Sequence, residues 1–181
     1  ARDPGPQRAD VAIATRRIKQ LTDANRAAIA SDGLASPPRL DMMAVLEDEV
    51  AWAKASGTRF GLVLVHLPGI SALRDGEGRD DADARLRTAA ETIARAGRAT
   101  DVIAGSGDDF LVVLADADAG GSLVAAKRVA RAIGGASLRA AQRPKKTRGF
   151  AAWSIGRASY PADGTTRDAL IARATASLSP F

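Results

Sequence analysis

Residues 101–114 read Asp-Val-Ile-Ala-Gly-Ser-Gly-Asp-Asp-Phe-Leu-Val-Val-Leu. Two strand-like runs, 101–104 and 110–114, flank a stretch that is rich in glycine and aspartate, and this arrangement predicts a β-hairpin. Gly107 lies within the turn. Paired aspartates are common turn residues, so Asp108 and Asp109 fit the turn without any further role.

Further elements are predicted on both sides of the hairpin. The short and almost continuous apolar run at 60–67 predicts a strand that is buried on both faces. Apolar residues at helical spacing predict most of the other elements, and alternation predicts one more strand. The helices are expected over 9–31, 40–56, 80–96, 120–133 and 166–178, and the additional strand over 151–158. This order of elements predicts an α/β domain with one mixed sheet.

The N-terminal part of the chain divides into two segments. Residues 1–8 are polar and contain two prolines, which predicts a disordered lead-in. Apolar residues recur in steps of three and four over 9–31, with Asn25 on the same seam. This pattern predicts a parallel coiled-coil dimer, in which a buried Asn fixes the register, or a single amphipathic helix packed on its own domain. We expect the coiled coil, followed by one domain over 32–181.

Composition limits the possible functions. The chain has 181 residues, of which 46% are apolar and 26% charged, as in an ordinary soluble globular protein. The absence of cysteine excludes disulfides, thiolate catalysis and cysteine-type zinc sites. The formal net charge of +5 favours anionic partners, although a coding bias toward arginine would give the same charge.

Three stretches resemble the GGDEF domain, the diguanylate cyclase family. Residues 32–40 resemble the family's D-x-L-T-G-L-P-N-R opening, 106–110 resemble G-G-D/E-E-F, and 153–164 resemble S-x-G-x-A-x-Y-P-x-D-G. The three occur in the family's order and spacing. The resemblance implies the palm-like fold of nucleotidyl cyclases, a five-stranded sheet surrounded by helices with the signature hairpin at its edge. It also implies a coiled-coil helix before the domain.

An active member of this family joins two GTP molecules, with divalent metal ions held by carboxylates. In this sequence His66 stands at the strand end where the family has a metal-binding Asp, and imidazole suits zinc or copper better than magnesium. Ser106 replaces the first signature glycine, whereas Gly107 is kept. Asp108 matches a metal position, but Asp109 is one methylene shorter than the family's Glu. These departures indicate lost cyclase activity and no cofactor, with Mg²⁺ required only if the chain is still a cyclase.

Arg98 and Asp101 resemble the family's inhibitory R-x-x-D site, which implies cyclic di-GMP binding. Arginine can bind guanine O6 and N7 or a phosphate, and aspartate can accept from the guanine N1 and N2 hydrogens. In the family a further arginine comes from a neighbouring helix, and Arg128 or Arg131 is expected to supply it. The alternative is that Arg98 and Asp101 form a surface ion pair of little energetic value.

The combined prediction is a catalytically inactive GGDEF-type domain that acts as a cyclic di-GMP receptor and relays the signal to a partner or attached domain. The alternatives are a weakly active diguanylate cyclase and a ligand-free dimerisation or scaffold module. A homodimer through 9–31 and an effector protein are the expected partners. Nucleic acid is not expected, because the basic stretch 142–149 lacks aromatic residues for stacking bases. The expected location is the cytoplasm, either as a soluble protein or as the cytoplasmic part of a membrane protein.

Overall fold

The computed structural model describes residues 40–75, 78–141 and 152–180. The predicted lead-in, the predicted coiled coil and the basic stretch 142–149 lie outside the described residues. The helices of the described part are α1 (Met42–Ser56), α2 (Ile70–Asp75), α3 (Arg79–Ala96), α4 (Ala119–Ala141) and α5 (Arg167–Ala176). The strands are β1 (Phe60–His66), β2 (Val102–Ser106), β3 (Asp109–Ala115), β4 (Ser154–Tyr160) and β5 (Ser179–Pro180).

The five strands form one sheet in the order β2-β3-β1-β4-β5, and every neighbouring pair is antiparallel. The prediction of five strands, helices on the sheet and the hairpin at its edge is confirmed, but the prediction of a mixed sheet is wrong. The crossover from β1 through α2 and α3 leads to β2, which runs parallel to β1 but is separated from it by β3. The crossover through α4 skips β1 in the same way, so no two parallel strands become neighbours.

The central strand β1 is buried on both faces, which explains its continuous apolar sequence. Val63 and Val65 point into a core formed with α3 and α4, whereas Leu62 and Leu64 point into a second core formed with α1 and α5. Only His66, at the end of the strand, is partly exposed. The buried strand therefore packs against two helical layers and presents its terminal side chain where the central strand ends.

Local signals set the helix ends. Asp41 caps α1 by accepting a hydrogen bond from the Met43 N–H at 2.8 Å, and Gly57 ends this helix in the left-handed region with a φ of 66°. Helix α4 continues to Ala141, eight residues past its predicted end. The predicted end at Ile133 was wrong because the following glycine pair does not stop the helix. Packing against the sheet offsets the low helix propensity of glycine.

Candidate ligand-binding cleft and signature hairpin

A tight turn joins α3 to β2 and holds Arg98 and Asp101 together. Oδ2 of Asp101 accepts a hydrogen bond from the Arg98 N–H at 2.6 Å, and the Asp101 N–H donates to the Arg98 carbonyl oxygen at 3.2 Å. Only 2% of the Asp101 side chain is exposed, whereas Arg98 lies at the surface. The buried Asp101 carboxylate thus stabilises the turn, and the Arg98 side chain stays at the surface.

Helix α4 adds a second arginine to this turn. Nη2 of Arg128 lies 3.4 Å from Oδ2 of Asp101, and Nε of Arg128 is buried without a hydrogen-bond partner among the described residues. Arg131 lies nearly one turn further along α4, at the surface, and is not part of this group. Of the two arginines predicted to assist the Arg98 site, the structure therefore brings Arg128 to Asp101.

These side chains border a cleft with a volume of about 200 Å³. Its charged lining consists of three arginines and three aspartates: Arg59, Arg98, Arg128, Asp101, Asp116 and Asp118. The sequence analysis did not find Arg59, Asp116 or Asp118. Nε of Arg59 donates to Oδ1 of Asp116 at 3.1 Å, so an arginine–aspartate pair also stands on the second wall of the cleft.

The strand register explains this second pair. Phe60 pairs with Ala115, so the residues just before β1 and just after β3, Arg59 and Asp116, become neighbours. Asp118 directly precedes α4 and accepts a hydrogen bond from the Gly121 N–H at 2.8 Å. This backbone hydrogen bond lowers the pKa of Asp118, and the nearby Arg59 charge adds to the effect. The sequence shows a single arginine just before β1 and two aspartates just after β3, but only the strand register brings them together.

The signature hairpin lies at the opposite end of β2 and β3. Ser106 pairs with Asp109, which leaves Gly107 and Asp108 as a two-residue turn. Gly107 has a φ of 55°, in the left-handed region where glycine carries no steric cost. The predicted hairpin is present, and the glycine kept at its second position is required by the backbone.

Asp108 turns toward helix α2. Its Oδ2 accepts from the Gly69 N–H at 3.0 Å, and its Oδ1 accepts from the N–H and the hydroxyl of Ser71 at 2.6 and 2.7 Å. Burial raises the pKa of Asp108, but these hydrogen bonds, with a contribution from the His66 charge, outweigh burial and hold the pKa below its usual value. The carboxylate therefore caps the start of a helix.

The second hairpin aspartate contacts the strand-end histidine. Nδ1 of His66 lies 2.8 Å from Oδ1 of Asp109, and the two residues are directly paired across β1 and β3. Both side chains are a little over one third exposed. The His66 ring thus occupies the side of Asp109 on which the resemblance implies a second carboxylate.

The comparisons with known proteins identify the family. The model of the family described as "GGDEF: Diguanylate cyclase, GGDEF domain" matches residues 36–179. The chain belongs to the GGDEF family. No curated protein matches the chain.

Solved GGDEF structures share the fold. A sensory box/GGDEF family protein from Caulobacter crescentus is 27% identical, with 80% of this chain and 92% of that chain covered and a TM-score of 0.58. The coiled coil and GGDEF domain of DgcB from the same organism, in complex with c-di-GMP, is 22% identical, with 93% and 88% covered and a TM-score of 0.60. The diguanylate cyclase SiaD from Pseudomonas aeruginosa, in complex with its activator SiaC, is 18% identical, with 92% and 64% covered and a TM-score of 0.63.

The GGDEF family implies a magnesium site at the hairpin, and the residues present do not fit it. Magnesium requires hard oxygen ligands in near-octahedral geometry. The Asp108 carboxylate is occupied by donors from α2, and Asp109 faces an imidazole. Across the described ranges, no three His, Cys, Asp or Glu side chains are close enough to hold a metal ion.

No helix in the same ranges is long and apolar enough to span a membrane.

Proposed function

We propose that this GGDEF domain is a cyclic di-GMP receptor without cyclase activity, and that it binds the ligand through Arg98, Arg128 and the turn that Asp101 organises. The observation that carries the proposal is the arrangement of these three residues. One buried carboxylate accepts from the backbone N–H of Arg98 and from the side chain of Arg128, and both arginines line the same cleft. Two guanidinium groups held on one surface suit a guanine-bearing phosphodiester, because each can donate two parallel hydrogen bonds to guanine O6 and N7 or to phosphate oxygens.

Arg128 gives independent support for a ligand at this place. Its Nε atom is buried and lacks a hydrogen-bond partner among the described residues, and its hydrogen bond to Asp101 is long at 3.4 Å. An unsatisfied buried donor costs free energy unless an acceptor approaches it. A ligand oxygen in the cleft is a suitable acceptor for this donor.

The hairpin supports the loss of cyclase activity. Joining two GTP molecules builds negative charge on the phosphates, which family members neutralise with carboxylate-bound metal ions. In this chain Asp108 holds helix α2 and Asp109 faces His66, so both carboxylates already have partners within the protein. Freeing them for a metal breaks contacts that stabilise the hairpin.

The proposal extends to partners and location. A receptor must pass its ligand state to another surface, and we propose a homodimer through 9–31 or an effector protein for this step. The solved DgcB structure is a complex with c-di-GMP, and the solved SiaD structure is a complex with its activator SiaC. We place the domain in the cytoplasm, where its nucleotide ligand is available.

Calorimetric titration with cyclic di-GMP and GTP side by side tests the proposal. The wild-type chain is expected to bind cyclic di-GMP, and Arg98→Ala and Arg128→Ala are each expected to lower its affinity at least tenfold, by about 1.4 kcal/mol or more. Arg131→Ala is the matched control on the same helix and is expected to bind like the wild type. Absence of wild-type binding contradicts the receptor function and favours a scaffold module.

A turnover assay separates the receptor from the alternative enzyme. The chain is incubated with GTP and either Mg²⁺ or Mn²⁺, and cyclic di-GMP is measured by chromatography. The proposal expects no product with either metal. Product that disappears on Asp108→Asn substitution identifies a weakly active cyclase instead.

A further inference from the structure

We propose that the outward face of α4 is a docking surface for an anionic lipid bilayer. This face consists of Leu123, Val124, Lys127, Arg131 and Leu138. The cations meet lipid phosphate groups, and the apolar side chains enter the boundary between the headgroups and the acyl chains. Lipid docking does not depend on cyclic di-GMP binding, because only Val124 of these five residues also lines the ligand cleft.

The large apolar side chains that are exposed in the described part of the chain all lie on α4. Leu123 is 38% exposed, Val124 59% and Leu138 67%. The other large apolar side chains of the described residues are buried or half-buried. Single exposed apolar side chains are ordinary on protein surfaces, but a group that shares one helix face marks an interaction site.

Helical spacing brings these side chains to one side of α4. Each residue turns the helix by about 100°, so all five residues of the outward face fall within an arc of about 100°. The face is about 22 Å long from Leu123 to Leu138, at 1.5 Å per residue. The buried residues of α4 lie on the other side, in the core shared with the sheet and α3: Ala125, Ala126, Val129, Ala130, Ile133 and Ala136. The outward face is therefore a surface turned away from the sheet.

The charge on this face has a single sign. Helix α4 contains no Asp or Glu, and the sequence has none between Asp118 and Asp163. Lys127 and Arg131 are exposed, and neither forms an ion pair with another described residue. The cytoplasmic leaflet of a membrane is negative at its surface and attracts such cations. The charge of the face is thus complementary to an anionic bilayer.

The mixture of cations and apolar side chains favours a bilayer over other occupants. The phosphates of a nucleic acid can neutralise Lys127 and Arg131, but they offer no apolar surface to Leu138. A two-fold dimer through this face brings the basic residues of both copies together, and like charges across an interface oppose association. A bilayer provides both phosphate groups and an apolar interior within a few ångströms of each other.

Co-sedimentation of the full chain with lipid vesicles tests this docking surface. Vesicles of phosphatidylcholine alone are compared with vesicles that contain about 30% phosphatidylserine, at about 0.15 M salt. The wild-type chain is expected to bind the vesicles with phosphatidylserine about tenfold more tightly or better. Lys127→Glu is expected to lower this binding about tenfold, because the new carboxylate repels the lipid phosphates. Leu138→Gln is expected to lower it about threefold or more, because it removes apolar area without changing the charge.

Lys54→Glu is the matched control. Lys54 is also an exposed helical lysine, but it lies on α1, which covers the opposite face of the sheet. This variant has the same net charge as Lys127→Glu and is expected to bind vesicles like the wild type. An equal loss in both variants means that net charge alone governs binding, which overturns the proposed surface. All three variants are expected to melt at the wild-type temperature, since the substituted side chains are exposed.

Two further results also contradict lipid docking at α4. The first is equal wild-type binding to both kinds of vesicle, or unchanged binding by Leu138→Gln. The second is a dimer in solution that Leu138→Gln dissociates, which assigns the face to a second copy of the chain. Titration with cyclic di-GMP is a separate measurement, so the receptor function and the lipid surface can each fail while the other stands.

Discussion

Oδ1 of Asp108 accepts hydrogen bonds from both the backbone N–H and the side-chain hydroxyl of Ser71, at 2.6 and 2.7 Å. With the bond from Gly69 to Oδ2, three donors at the start of α2 converge on one carboxylate. The hairpin and this short helix are therefore joined by charge-assisted hydrogen bonds, which are the strong class in proteins. The residue that resembles a metal ligand stabilises the fold.

Asp108→Asn is expected to lower the free energy of unfolding by about 1–2 kcal/mol, because the substitution removes the charge and one acceptor oxygen. Burial raises the pKa of Asp108, but the bonds from Ser71 and Gly69 prevail, and the folded-state pKa lies below its ordinary value of 3.8. The contribution is therefore present above about pH 4 and is lost as the pH falls through the folded-state pKa. Urea denaturation at pH 7 and pH 3 measures it, and an equal difference between wild type and variant at both values contradicts the assignment.

His66→Asp is expected to make the stability of the chain dependent on divalent metal. The substitution places two carboxylates directly opposite each other in an antiparallel pair, which costs up to about 1 kcal/mol without a cation. Adding Mn²⁺ is expected to raise the melting temperature of this variant and to leave that of the wild type unchanged. His66→Asn is the control, because it removes the imidazole without adding charge, and a metal response in that control would refute the explanation.

Glu49 makes the stability of the chain depend on pH near neutrality. Burial on α1 raises the pKa of Glu49 from 4.5 to about 7. Because the folded-state pKa is raised, the neutral acid is favoured by folding, and the contribution is full below about pH 4.5 and is lost as the pH rises through about 7. The free energy of unfolding of Glu49→Gln, relative to that of the wild type, is expected to rise by about 1–3 kcal/mol as the pH is raised from 5 to 8. Glu47→Gln, at an exposed position of the same helix, is expected to show no such gain in urea titrations at the two pH values.

Gly156→Ala is expected to destabilise the fold by about 1–3 kcal/mol or more, because the added Cβ overlaps the carbonyl group of Ala174 on α5. The neighbour is backbone and cannot move aside as a flexible side chain would. Gly134→Ala is the contrasting control, since its Cβ meets only Cζ2 of Trp153, at an ordinary 3.7 Å. In the interior of α4 this change is expected to raise the free energy of unfolding by about 0.5–1 kcal/mol. Thermal melts that rank the two variants in the opposite order would contradict the packing described for β4.

Much of the fold could be predicted from local patterns. The apolar run of β1 indicated a strand buried on both faces, and the glycine–aspartate stretch around Gly107 indicated the hairpin turn, as the structure confirms. Both signals depend on residues that are close in sequence. The antiparallel order of the sheet could not be predicted in this way, because it depends on which strand enters between β1 and β2.

The candidate cleft could also be predicted only in the part that depends on residues close in sequence. Arg98 and Asp101 are three residues apart, so one turn brings them together and the sequence was sufficient to find them. Arg59 and Asp116 are 57 residues apart and meet only through the pairing of β1 with β3. The burial of Asp101 could not be predicted from the sequence either, because it depends on the packing of α4 over the turn. Tertiary contacts, rather than residue types, decide which of these side chains come together.

The length of β2 has a consequence for how this domain can change over time. Five residues separate Asp101 from Ser106, so the cleft and the hairpin stand roughly 16 Å apart at opposite ends of one strand. They share no side chain, and substitutions that erode one end need not disturb the other. Substitutions can therefore accumulate at the hairpin without altering the residues that line the cleft.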